Sequence, residues 1–527
     1  MPLEELVDYL KNWVPPKEES LADEAMAPTP EGLGRELVKL VAEEPEKYAS
    51  VIGKFMDPAM DRTFVRHLIH GFNDALKAQK AIPYEEVLAL CQWVVDQPVG
   101  DKEAETRHFD QDLTWRYSRQ AIGDLIEQFF LQGGNPAIEL KEKIWAILKP
   151  LTADTEPDAA YEAKYGGKNM DHYTLSINTT RGKALHAMMH YALWLIRDIE
   201  KDTSVKAAPG QMPEIRIVWH EHLSKEDGSF FKAETDHAVF GYWLPLLTHL
   251  DPAWTVGMIP LAFPSKPEHS NLRLAAWSTF ITYSQSSLGP TYGLLRDIYF
   301  EEVRALEGKV FERDDHRTPE FRLAEQVAAL YAIGKASLDE GDLVEVFFGT
   351  AYASLTAHVI GYIGRSMTGK PHENQEELVA RFKKLWEWRI KECKGIEKVP
   401  RGELAAFGWW FRAGKFGDEW ALDWLEKVLK ITGMGDITFH VVEQMRETIL
   451  PHPMETLRCL KRIVEWWDDY WSLAPRPEAA AWQILVSALG HENREVRTLA
   501  DEIVNLLGSK GLLKYGELLK KHRGGSQ

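Results

Sequence analysis

The feature that most limits what this chain can fold into is an internal repeat in its last third. Three stretches superpose at offsets of 38 and then 40 residues, and their apolar positions stay in register. In the first half of each unit Leu404, Val442 and Trp482 align, then Phe407, Met445 and Leu485, then Phe411, Ile449 and Leu489. In the second half the columns are Ala421, Cys459 and Leu499; Leu422, Leu460 and Ala500; Leu425, Ile463 and Ile503; and Leu429, Trp467 and Leu507. Spacings of three and four within each half specify helices, and a unit of about 40 residues built as two helices has the length of a HEAT-type repeat. Such a pair cannot bury its apolar face alone, so neighbours must stack into a continuous core.

The same pattern runs less regularly through the N-terminal region. Glu31 to Glu43 with Lys47 to Phe55, Asp61 to Lys77 with Tyr84 to Asp96, and Phe109 to Gln132 with Leu140 to Leu148 read as three helix pairs. Between Thr152 and Ser229 the rhythm fails. That span is acidic and glycine-rich at Thr155 to Gly167, helical from Thr180 to Glu200 and loop-like from Asp202 to Pro213. Ile215 to Trp219 (IRIVW) is the best strand candidate, and it stands alone. The expected fold class is all-α: a HEAT-like α-solenoid of stacked helical hairpins with an irregular middle segment. The expected divisions are 1–151 (N-terminal repeats), 152–229 (irregular segment), 230–372 (helical continuation) and 373–527 (C-terminal repeats).

A chain of 527 residues exceeds what one compact core accommodates, which also favours a stack or several domains. Its formal charge of -18 would repel a phosphate backbone over most of its surface, so nucleic acid is disfavoured as a partner. The basic run Arg381, Lys383, Lys384, Arg389, Lys391 and Lys394 is the local exception. Three scattered cysteines form neither a disulfide framework nor a zinc site, which suits a reducing, cytoplasmic setting. The N-terminus lacks the basic, then apolar pattern of a signal peptide. The most apolar stretch, Ala238 to Leu250, falls short of the ~20 residues a bilayer-spanning helix needs, so no membrane is expected.

Chemical motifs are present but incomplete. Gly364 to Lys370 fits the GxxxxGK skeleton of a phosphate loop, yet Pro371 stands where a metal-binding Ser or Thr belongs, and a helix precedes it instead of a strand. His186 and His190 share a helix face at the spacing of a zinc-protease helix, but Ala187 replaces the general base. His220 and His222 flank Glu221, with His237 the nearest third ligand by sequence. A metal-dependent hydrolase built from these imidazoles is the alternative to a binding function. No G-x-S-x-G occurs, and Cys91 and Cys459 lie in apolar columns. The adjacent carboxylates Asp314 and Asp315, or Asp468 and Asp469, suit solvated faces. No catalytic set, metal or cofactor is assigned.

Candidate partner contacts come from two sources. Tryptophans occur in close sets, Trp386 with Trp388, Trp409 with Trp410 and Trp466 with Trp467. Neighbouring helical residues point about 100° apart, so one member of each set is expected to reach the surface, and Trp388, Trp410 and Trp466 are the candidates. Within the irregular segment Asn178, Thr180 and Arg181 are polar and turn-forming. They serve equally as contact residues or, through Asn178 or Thr179, as a cap for the helix that follows.

Two stretches carry a resemblance to a known family. Ser176 to His186 (SINTTRGKALH), followed by Tyr191-Ala192-Leu193-Trp194, is one; His358 to Ser366 (HVIGYIGRS), leading into Leu385-Trp386-Glu387-Trp388-Arg389, is the other. They resemble the C-terminal helical-repeat regions of large bacterial NTPases, including antiviral NTPases of the STAND type. The resemblance implies a solenoid that senses another protein, a phage protein or an NTPase subunit, in bacterial antiviral defence. It implies no catalytic residue here, and the NTPase and effector domains of those proteins have no counterpart in this sequence.

Overall fold

The computed structural model describes residues 2–14, 28–100, 112–131, 134–166, 169–199, 212–224, 233–284, 288–309, 318–371, 373–433, 435, 437–466 and 473–524. Trp467, Asp314, Asp315, Asp468, Asp469, Phe109 and the loop from Asp202 onward lie outside them. Among the described residues every regular element is a helix and no strand occurs. The chain divides into two compact units, Met1–Ser284 and Gln285–Gln527.

In the first unit the helices Pro30–Glu43, Arg62–Lys77, Arg116–Phe130, Thr180–Ile199, Glu234–Leu250 and Ser270–Tyr283 form one row, each packed on the next. A second row holds Ile52–Phe55, Tyr84–Val95 and Lys141–Thr152. Pro213–Ser224 packs on Pro252–Ala262 in the same unit. Side-chain oxygens close several helix starts: Thr29 accepts from the Gly32 amide, Asp61 from Thr63 and Asp251 from Trp254.

The lone strand candidate at 215–219 is helix, in keeping with the all-α expectation. Pro213 occupies a helix start, where its missing N–H costs nothing, and Ile215, Val218, Trp219 and Leu223 are buried at spacings of three and four. Ile217, which alternation would have placed inside, is 54 % exposed, so the helical period outweighed the short alternating run. The middle segment also contains the short helices Ala159–Tyr165 and His172–Ser176, which break the hairpin rhythm without breaking the first row.

In the second unit a row runs through Pro319–Ala332, Ala353–Ser366, the broken helix Arg401–Ala406 and Gly408–Ala413, Thr438–Thr448 and Ala480–Leu489. Asp418–Thr432, Pro453–Trp466 and Arg494–Ser509 pack in order as a second row. The seven sequence columns face the space between these rows. Every described member is buried except Leu499, which is half-buried.

Close approach of neighbouring helices within a row depends on small residues. Gly241 meets the backbone oxygen of Ala276, and Thr279 Oγ1 on the same neighbour donates to Ala238 O at 2.7 Å. A Cβ at Gly241 would overlap that carbonyl, which cannot shift without moving its helix. Gly241→Ala should therefore destabilise the protein by about 1–3 kcal/mol in urea unfolding. Gly257, inside a helix with open space around it, is the control: Gly257→Ala should be neutral or stabilising by roughly 0.5–1 kcal/mol. Equal effects at the two sites would contradict this account.

Candidate functional site

The irregular middle segment is built around a buried guanidinium. Arg181, fully enclosed, donates from Nε to Asp236 Oδ1 at 2.8 Å, from Nη1 to Asp154 O at 2.9 Å and from Nη2 to Pro157 O at 2.8 Å. The other Asp236 oxygen lies 3.0 Å from His222 Nδ1, a ring nitrogen that donates to it. Burial alone would raise the Asp236 carboxyl; the Arg181 and His222 charges outweigh it and hold the group below the usual carboxylate range. A buried charge pair with satisfied donors is tolerable where either partner alone would be costly.

The same segment caps two helices from a distance. Glu156 Oε2 accepts from Thr180 Oγ1 at 2.6 Å, and Glu156 O accepts from the Arg181 amide at 2.9 Å. Gln120 and Arg116 bind the Glu156 carboxylate from the Arg116–Phe130 helix. Glu162 accepts from the amides of Glu234 and Thr235 at 3.1 and 3.0 Å. The expected capping by Asn178 or Thr179 is corrected here. Their side chains donate backwards, to Thr174 O and to Leu175 O, so Glu156 supplies the cap. Of the three candidate contacts in this segment only Asn178 is exposed; Thr180 and Arg181 are interior. A surface role for those two is therefore corrected: both are committed to internal partners.

The four imidazoles proposed for a metal site are not brought together. His186 sits between Ser176 and Trp243, His190 pairs with Glu127 at 3.0 Å, His222 with Asp236, and His220 lies beside Ser224. His237 is turned to Ala262 O at 2.9 Å. Among the described residues no group of three or more His, Cys, Asp or Glu side chains is placed to hold a metal ion.

Ser176 and His186 do have the 2.9 Å separation of a nucleophile and its base. The bonding runs in the opposite sense. Trp243 Nε1–H donates to His186 Nδ1 at 2.9 Å, so the neutral ring carries its proton on Nε2 and donates it to Ser176 Oγ. The serine proton goes to Tyr173 O at 2.7 Å. Burial pushes His186 down to about 4, which keeps the ring neutral at pH 7. A serine facing a protonated Nε2 has no base there.

The tryptophan sets divide differently from expectation. Trp410 is completely buried and donates to Ile360 O at 2.7 Å, stacked on Phe416 with centroids 4.8 Å apart. The expected outward member is instead its neighbour Trp409, which is half-buried. Phe407 and Phe411 define the inner face of this helix; Trp410 falls three after one and next to the other, which was the available signal. Trp388 is half-buried against Phe348, and Trp466 is 49 % exposed and covers the Gly433 backbone.

Around Trp409 three consecutive helices of the row build an aromatic and cationic surface. The base of Trp409 packs on Gly364, where a Cβ would stand 2.5 Å from Trp409 Cβ, so the phosphate-loop glycine is a packing residue inside the Ala353–Ser366 helix. Arg365 and Arg412 hold their guanidinium carbons 5.5 and 5.0 Å from the ring centroid, and His440 lies 6.0 Å away at 35°. Phe439 beside it is 41 % exposed. Elsewhere, an open cleft of ≈ 530 Å³ in the first unit is lined by Glu31, Arg35, Arg66, His67, His70 and Asp74, but Glu31 already binds both arginines.

The buried His186 makes the fold pH-sensitive. In the unfolded chain this imidazole takes up its proton near pH 6.5; in the folded chain it waits until about 4, so stability falls as pH drops through that window. The loss should be on the order of 2 kcal/mol at pH 5. His186→Gln should reduce the drop in urea midpoint between pH 7 and pH 5. His70, pushed down to about 3 by burial, and His67 and His237, lowered in the same direction, keep part of the slope in the variant. A variant slope equal to wild type would contradict the assignment. No protein-family model matches this chain, and no curated protein matches it in sequence.

Proposed function

We propose that this chain is a protein-recognition scaffold, a HEAT-like stack of helical hairpins whose outward faces engage another folded protein. The observation that carries this reading is the in-register packing of successive hairpins, each first helix on the next first helix and each second on the next second. Arrays built this way hold a long surface rigidly while each repeat contacts only its neighbours, an arrangement suited to contacting an extended partner. A row of exposed side chains on one helix layer is then the natural contact face.

Two further points support it. The imidazoles of the middle segment that suggested chemistry are each engaged with a separate internal partner, His186 with Trp243, His190 with Glu127 and His222 with Asp236. The resemblance to the repeat regions of bacterial NTPases adds a partner class: a phage protein or an NTPase subunit, met in the cytoplasm as part of antiviral defence.

The test is in-cell cross-linking of the chain in its source bacterium, before and after phage challenge, with the cross-linked protein then purified and mixed with the chain. One protein that reproducibly cross-links and co-elutes with the chain at fixed stoichiometry is the expected result. Cross-linked species that all fail to re-form a complex with the purified chain would overturn the reading.

A further inference from the structure

In the second unit two guanidiniums that lack a carboxylate partner among the described residues share one aromatic ring. Among the described residues neither Arg365 nor Arg412 is within ion-pair distance of an acid, in a chain with 80 acidic and 62 basic side chains. Both rest on one indole. A guanidinium over an aromatic face is held by the ring's negative potential, which leaves N–H donors for a carboxylate. The pair cannot be more than about 10.5 Å apart, since both are measured to the same centroid.

The remaining charges near this surface are already engaged. Glu325 is the acid whose field reaches Arg365, and it is held by Arg322 at 2.8 Å and by His358 at 3.0 Å. On the Thr438–Thr448 helix Glu443 and Glu447 lie 3.7 and 3.6 Å from Arg446. Gly361 and Gly364, both buried, let Arg365 and Trp409 lie close on their helix, with Arg365 Nη1 2.9 Å from where a Gly361 Cβ would be. The result is a cationic, aromatic island on an acidic protein.

We propose that Arg365, Trp409, Arg412 and His440 form a docking surface for a short, extended acidic segment of a partner protein. Two carboxylates two residues apart on an extended strand are separated by roughly 6–7 Å, within the reach of the two guanidiniums. Each is met by a fork of parallel N–H donors, and the chain between them lies against Trp409 and Phe439. Stacking fixes both arginines before the partner arrives, so less side-chain freedom is lost on binding. A nucleic acid fits less well: its affinity comes from neutralising many phosphates, and here two cations stand on a chain of net charge -18.

This proposal rests on the reading of the chain as a recognition scaffold, and its test separates the two. The full chain is titrated, at about 50 mM salt where exposed charges are weakly screened, with a fluorescein-labelled peptide of alternating Glu and Ala. The same peptide with Gln for Glu and a single-stranded oligonucleotide of equal length are run beside it. The Glu peptide should bind and the Gln peptide should not. The double variant Arg365→Glu, Arg412→Glu, folded by circular dichroism, should weaken the Glu peptide at least tenfold and gain binding to the Lys–Ala counterpart. Failure of the Glu peptide to bind, binding unchanged by charge reversal, or tighter binding of the oligonucleotide would each overturn the proposal. A cross-linked partner retained by the double variant would overturn this surface while leaving the scaffold reading intact.

Discussion

A guanidinium without water must have its charge and its donors met at once, and the middle of the first unit is organised by that demand. Arg181 takes a carboxylate from the Glu234–Leu250 helix and two carbonyls from the segment that precedes its own helix. Asp236 in turn fixes His222 and so seats the Pro213–Ser224 helix. Two stretches that depart from the hairpin rhythm are thereby tied to the row that keeps it. The segment is irregular in sequence because its residues are chosen for charge and carbonyl geometry rather than for apolar period.

The second unit uses the same side chain in the opposite way. Arg365 and Arg412 are held by a ring rather than an acid, and at a surface rather than inside. A stacked, exposed arginine is stable without a partner because water solvates its edge. An enclosed one is stable only with partners. That difference makes Arg181 part of the frame and leaves the Trp409 pair available to something else.

Much of the fold was legible in the residues. Apolar spacing gave the helices, and the repeat columns marked the positions that are buried in the second unit, because both depend on neighbours three and four apart. Less was legible at the candidate sites, for a physical reason. Glu156 and Glu162 cap helices that begin 24 and 72 residues later, and no local pattern announces a cap brought from that distance. Arg181 reads as a polar turn residue until Asp236, 55 residues on, is folded against it. Trp409 and Trp410 are adjacent, so their assignment turned on where the inner face fell, and Phe407 and Phe411 already held that information. IRIVW satisfied a strand period over too few residues to outweigh the helical one around it.

Long-range caps also set an order of events. During synthesis Glu162 and Arg181 emerge before the residues 234–236 that they will bind. At roughly 5–20 residues per second, the interval between Glu162 and the amides it will cap is about 4–15 s. Through that time Glu162 remains a solvated carboxylate on an open chain, whereas Asp154 and Glu156 meet Arg119 and Arg116, which are already synthesised. Closing loops of this length adds an entropic cost that local hairpins avoid, though it grows only slowly with length. The first helix pairs of the unit can form on the ribosome as they appear, whereas its middle can close only after residue 236 has cleared the exit tunnel.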